Sequence, residues 1–92
     1  MDLKELRKEI DAVDSRIVEL FEKRLEISEK FAAYKREAGI PVRDEAREKE
    51  KLLQVQNLAH SAFGREHIGE LYTLLISLSR KLQEELIKAS LQ

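Results

Sequence analysis

The sequence has no cysteine and no tryptophan, and only one proline, one methionine and three glycines in 92 residues. Without Cys there is no disulfide framework, no thiolate nucleophile and no Cys-based zinc site. No apolar run approaches the ~18–20 residues needed to cross a bilayer, and the charged N-terminus is unlike a secretory signal. An excess of either charge is also missing, since 17 Lys+Arg face 18 Asp+Glu for a net charge of −1. Binding to phosphate backbones needs clustered excess cation, so a general nucleic-acid binder is excluded. One soluble domain of residues 1–92 remains, expected in the cytoplasm and obliged to build its core without staples.

What is abundant is charge and helix-forming residues. Charged side chains make up 38% of the chain, against about 25% in an average domain. Leu, Glu, Lys, Arg and Ala dominate, and all favour helix. Two places punctuate the chain: Gly39-Ile40-Pro41-Val42, and more weakly His60-Ser61-Ala62-Phe63-Gly64. These breaks predict three helices, over about residues 2–37, 44–60 and 65–90. The fold class is therefore all-α, with a long N-terminal helix.

That first helix follows a heptad. Leu3, Leu6, Ile10, Val13, Ile17, Leu20, Arg24, Ile27, Phe31 and Tyr34 step by alternating threes and fours, and all but Arg24 are apolar. Such a seam packs against another helix. Length then decides how. About 36 helical residues span roughly 54 Å, whereas a compact domain of this size has a radius of gyration of about 12 Å and a diameter of roughly 32 Å. Helices 2 and 3 would have to split their cover between both ends of the seam. A second copy of the chain, with the two long helices antiparallel, is the simplest remedy. An intertwined helical homodimer is expected.

In a helical bundle the informative residues are polar ones lodged in apolar stripes. Arg24 occupies a seam position, and burying an unpaired guanidinium is costly. A carboxylate partner that sets register would also explain it. Lys35 lies three turns on and projects within about 20° of Arg24, with Ser28 between them. In helix 3, Ile68, Leu71, Leu75, Leu78 and Leu82 form one apolar stripe; Tyr72, Ile76, Ser79, Gln83 and Leu86 or Ile87 form a second. Ser79 and Gln83 either face solvent at its boundary or offer neutral donors to a pocket. In helix 2, Glu48 stands on the face of Leu52 and Val55, while Asp44 is placed to cap the helix start. Three cations, Arg24, Lys35 and Arg47, with one carboxylate and neutral donors suit a small, multiply anionic ligand. Arg7 lies 17 residues before Arg24, about 25 Å along the helix. It can reach the same small ligand only from an antiparallel partner. His60 and His67 lack a third ligand, so no metal site is expected.

These residues resemble the all-helical (AroQ-type) chorismate mutases. The likeness covers essentially the whole chain. It is carried by Leu6-Arg7-Lys8-Glu9-Ile10-Asp11-Ala12-Val13-Asp14, Lys23-Arg24, Lys35, Pro41-Val42-Arg43-Asp44-Glu45-Ala46-Arg47-Glu48, and Ser79 with Gln83. The stretch from His60 to Gly64 matches poorly. The resemblance implies a three-helix homodimer that rearranges chorismate to prephenate, on the route to phenylalanine and tyrosine. By that likeness Arg24 and the partner's Arg7 hold the substrate carboxylates. Lys35 and Gln83 serve the ether oxygen. Glu48, supported by the Asp44 backbone, takes the ring hydroxyl, and Arg47 and Ser79 complete the polar wall. No cofactor or metal is implied. Two alternatives stand beside it: an isochorismate–pyruvate lyase on the same scaffold, and a non-catalytic helical dimerisation or regulatory module.

Overall fold

Asp2 starts the first helix by accepting the Glu5 N–H on its carboxylate at 2.8 Å, which satisfies one of the free donors of the first turn. From there α1 (Leu3–Ala38) runs unbroken through 36 residues. The structure, a computed structural model, describes residues 1–91. Gln92, the last residue of the expected domain, lies outside them. Gly39 ends α1 in the left-handed region, at φ 67° and ψ 30°, and the Ile40 N–H turns back to the Lys35 carbonyl at 3.1 Å. Pro41 then prevents any continuation. Asp44 caps α2 (Glu45–Leu58), as its position suggests, accepting the Arg47 N–H at 3.0 Å.

The second break differs from expectation. It spans only Ala59 to Ser61, so α2 ends at Leu58 and α3 (Ala62–Ser90) starts three residues earlier than the predicted 65. Ser61 caps α3 through the Gly64 N–H at 2.9 Å. Gly64 is thus a first-turn residue, not a breaker, and a Cβ there would meet Ser61 Oγ at 2.7 Å. His67 accordingly lies inside α3, stacked on Phe63 at 4.3 Å between ring centroids.

The packing is lopsided. α3 lies against both α1 and α2, and these two do not pack on each other. The face of α1 turned to α3 carries Phe21, Leu25, Ser28, Ala32 and Lys35, all buried or half-buried. Every residue from 1 to 20 is exposed. Helices 2 and 3 therefore do not divide their cover between the two ends of α1. The reason is geometric: α2 docks on α3, occupying its second face, and nothing is left for the N-terminal half. The chain measures 55 × 26 × 14 Å with a radius of gyration of 16.6 Å, well above the ~12 Å of a compact chain this long. Its accessible surface is 7560 Å², against about 5,500 Å² for a compact 10.7 kDa monomer.

Gly39 sets both the end of α1 and the course of the loop leading to Asp44. An added Cβ would meet nothing within 4 Å, so Gly39→Ala tests conformation alone. Holding Ala in the left-handed region should destabilise the fold by about 1 kcal/mol, roughly 4–8 °C in Tm. Thermal denaturation followed by circular dichroism measures it, and an unchanged Tm would mean that the turn does not depend on glycine.

Candidate active site

Where the C-terminal half of α1 faces α2 across α3, the three helices and the 40–44 loop enclose an open cavity of about 410 Å³. That is a size suited to a small organic ligand. Its floor is polar. Only Ser28, Ala32, Val55 and Gln83 are buried among the described residues, and two of these four are hydrogen-bonding side chains in the cavity wall. Buried polar groups are costly unless paired, so their partners are informative.

Ser28 Oγ donates to the Arg24 carbonyl at 2.9 Å. Its single hydrogen is thereby used, so in the 2.6 Å contact between Ser28 Oγ and Ser79 Oγ it is Ser79 that donates. Ser79 Oγ then accepts from Gln83 Nε2 at 3.0 Å. The chain of donors runs one way, from Gln83 through Ser79 and Ser28 to the backbone of α1. It fixes the Gln83 amide with nitrogen toward Ser79, and it leaves Gln83 Oε1 buried without a donor. The reading of Ser79 and Gln83 as a solvent-facing pair is thus overturned: Gln83 is only 4% exposed.

The cations of the site are held loosely. Arg24 has no carboxylate within 4 Å among the described residues. The alternative of a register-setting carboxylate finds no partner within this chain, and the guanidinium lies 5.6 Å from the Tyr72 ring centroid, a cation–π contact. Lys35 Nζ donates to the Val42 carbonyl at 2.7 Å and stands 5.4 Å from the Phe31 ring centroid. This bond ties the end of α1 to the loop that leads into α2. Arg47 lines the cavity rim while its guanidinium pairs with Glu50 at 2.9 Å on the outside of α2.

Glu48 stands on the inner face of α2, as its spacing suggests, but its partner is a residue that sequence reasoning missed. Arg80 Nε approaches Glu48 Oε2 at 3.0 Å. The signal was present: Tyr72, Ile76 and Arg80 step by fours along α3. A charged residue beside Ser79 reads as solvated surface, and this hides Arg80 in the sequence. With Arg80 and Lys51, the cavity wall holds five cationic side chains and two carboxylates, a cationic pocket in a protein of net charge −1. Such a wall attracts and orients a small dianion. No group of three or more His, Asp or Glu among the described residues could hold a metal ion.

Of the residues singled out by sequence, Arg24, Lys35, Asp44, Arg47, Glu48, Ser79 and Gln83 all line this one cavity. Arg7 does not; it lies in the uncovered half of α1. The sequence profile of the family described as chorismate mutase type II matches residues 6–84, from the residue before Arg7 to the one after Gln83. The chain belongs to the type II chorismate mutases. A chorismate mutase of Methanocaldococcus jannaschii is 31% identical over 87 residues, covering 94% of this chain and 88% of that protein. A bifunctional chorismate mutase/prephenate dehydratase of Aquifex aeolicus is 30% identical over 89 residues, covering 92% of this chain but only 25% of that longer protein. No solved structure gives a significant match. The matched segment spans parts of all three helices, with no strand among the described residues.

The orphaned carbonyl of Gln83 carries a stability consequence. Gln83→Met removes that orphaned acceptor, a gain of about 1–3 kcal/mol, but also the N–H that Ser79 Oγ accepts, a loss of about 0.5–1.5 kcal/mol. Stability should therefore hold or rise slightly, by about 1 kcal/mol, read as Tm by calorimetry. A fall of several degrees would show that the carbonyl is satisfied in the folded protein.

Proposed function

We propose that this chain converts chorismate to prephenate, for phenylalanine and tyrosine synthesis, in a pocket completed by Arg7 of a second copy. One observation carries the reading. Seven residues scattered from Arg24 to Gln83 converge on a single cationic cavity with neutral donors at its floor.

The chemistry asks for little more than that. The rearrangement breaks one C–O bond and forms one C–C bond within a single molecule, so it needs no nucleophile and no redox partner. The substrate's enolpyruvyl arm must fold over its ring, and holding that conformer removes much of the entropic barrier. Negative charge grows on the ether oxygen as the C–O bond breaks. Fixed donors aimed there stabilise the transition state more than the ground state. Lys35 has one donor on the Val42 carbonyl and two left for the ligand. Gln83 has one N–H on Ser79 and a second uncommitted. Arg24, free of any protein carboxylate, takes a substrate carboxylate. Glu48 accepts from the ring hydroxyl. Arg47 would leave its exposed pairing with Glu50 to reach the ligand, and a pair so exposed is worth only about 0–1 kcal/mol.

The surface supports a second copy. Leu3, Leu6, Ile10, Val13, Ile17 and Leu20 are each 46–60% exposed, a contiguous apolar seam of the kind that marks an interface. The surface in excess of a compact monomer, about 2,000 Å², is what an obligate dimer would remove. Antiparallel pairing of two α1 helices centred between Ser15 and Arg16 sets the partner's Arg7 opposite Arg24. Among the described residues no helix is long and apolar enough to cross a membrane.

Incubating the purified chain with chorismate tests the activity: absorbance should fall as prephenate forms. Release of pyruvate from isochorismate, with chorismate left unchanged, would indicate the lyase instead, and no turnover of either substrate would indicate a non-catalytic module. Lys35→Ala should lower kcat by about 10²–10³-fold with the fold intact, and near-full turnover would remove Lys35 from the chemistry. Mixing Arg7→Ala chains with Arg24→Ala chains should restore activity, because each heterodimer regains one complete site, about a quarter of all sites at equal mixing. Heterodimers that form without recovery would show that Arg7 does not act across the interface.

A further inference from the structure

We infer that Arg80 is a positioning residue: it compensates the charge of Glu48 and keeps its carboxylate aimed into the pocket while leaving it free to accept the substrate's ring hydroxyl. This rests on the placement of that hydroxyl at Glu48.

Among the described residues, Glu48–Arg80 is the only ion pair that joins two helices; the others link residues at most three apart. It is also the most enclosed, with side chains 21% and 28% exposed. An ion pair so placed is weak evidence for stability, because desolvation offsets much of the attraction. Its geometry suggests another use. The Arg80 Nε sits 3.0 Å from Glu48 Oε2, yet its N–H is not aimed at that oxygen and has no hydrogen-bond acceptor. The charges compensate, while the carboxylate keeps its lone pairs.

Among the described residues no cation other than Arg80 lies within 4 Å of the Glu48 carboxylate. A bare carboxylate in the wall would repel a dianionic substrate. The cations beside it on α2 are turned elsewhere, Arg47 to Glu50 at 2.9 Å and Lys51 to Gln54 at 2.6 Å. Arg80, rising from α3, is the cation that meets the Glu48 carboxylate, and their attraction draws it toward α3 and the pocket. A fully hydrogen-bonded, bidentate arginine would do the reverse and occupy the acceptor sites that the hydroxyl requires.

A double-mutant cycle on the dimeric enzyme tests this, with kcat/KM for chorismate as the readout and Tm as the check on folding. Arg80→Met should lower kcat/KM about tenfold, a typical coupling for residues in contact, and Arg80→Lys should recover part of the loss. In a Glu48→Gln background Arg80→Met should have little further effect, because the group it positions is gone. Equal losses in both backgrounds would overturn the inference, since Arg80 would then act on the substrate directly or on the fold. If Arg80→Met does not fold, Arg80→Gln, which keeps a polar side chain and removes the charge, gives the same comparison. If the unmodified chain turns over chorismate and the cycle is additive, only the role of Arg80 fails; no turnover removes both readings.

Discussion

The length of α1 is the constraint on which the rest depends. A 36-residue helix cannot be covered by the two shorter helices that follow it, once α2 has docked on α3. Its first 20 residues stay exposed with their apolar seam. The same shortfall leaves the cavity at the other end open on one side, with Ile27 and Phe31 at its edge still 41% and 52% exposed. The half-covered helix and the half-walled pocket have one cause.

Within the pocket, stability and ligand binding pull in different directions. A core optimised for stability would not bury a glutamine with an orphaned carbonyl, nor leave a guanidinium to an aromatic ring for want of a carboxylate. Each leaves a hydrogen-bonding group at the cavity without a full set of protein partners. The serine chain from Gln83 to the Arg24 carbonyl serves this arrangement. It anchors the amide by one hydrogen and sets the α1–α3 contact at small side chains, Ser28 and Ser79, that let the helices approach. The anchor for Lys35 is the Val42 carbonyl, beyond Gly39 and Pro41, so the turn that ends α1 also places the Lys35 ammonium at the cavity. Charge is arranged in the same manner: cations outnumber carboxylates in the wall, and the one inward carboxylate is compensated by Arg80 without being capped.

Much of this was legible in the sequence, for identifiable reasons. The long seam, the Gly39–Pro41 turn and the Asp44 cap depend on local chemistry, and each stands where the residue pattern puts it. Arg24, Lys35, Glu48, Ser79 and Gln83 were conspicuous because they interrupt apolar stripes, and the structure gathers them. What local pattern could not supply was partnership. Nothing in the order of residues says that Arg24 faces Tyr72 or that Gln83 binds Ser79. Gly64 reads as a breaker, yet it serves the Ser61 cap, where a side chain would collide. Arg80 hid among surface charges because its partner lies 32 residues away on another helix. The uneven cover of α1 was equally invisible, since it depends on which face of α3 accepts α2.

The central claim is that the pocket becomes an enzyme only when a second chain closes it. Specific activity toward chorismate, measured across a dilution series alongside sedimentation velocity on the same samples, tests this most directly. Turnover per chain should fall in step with the dimer fraction and vanish with it. A monomeric species that retains full turnover per chain would contradict the account.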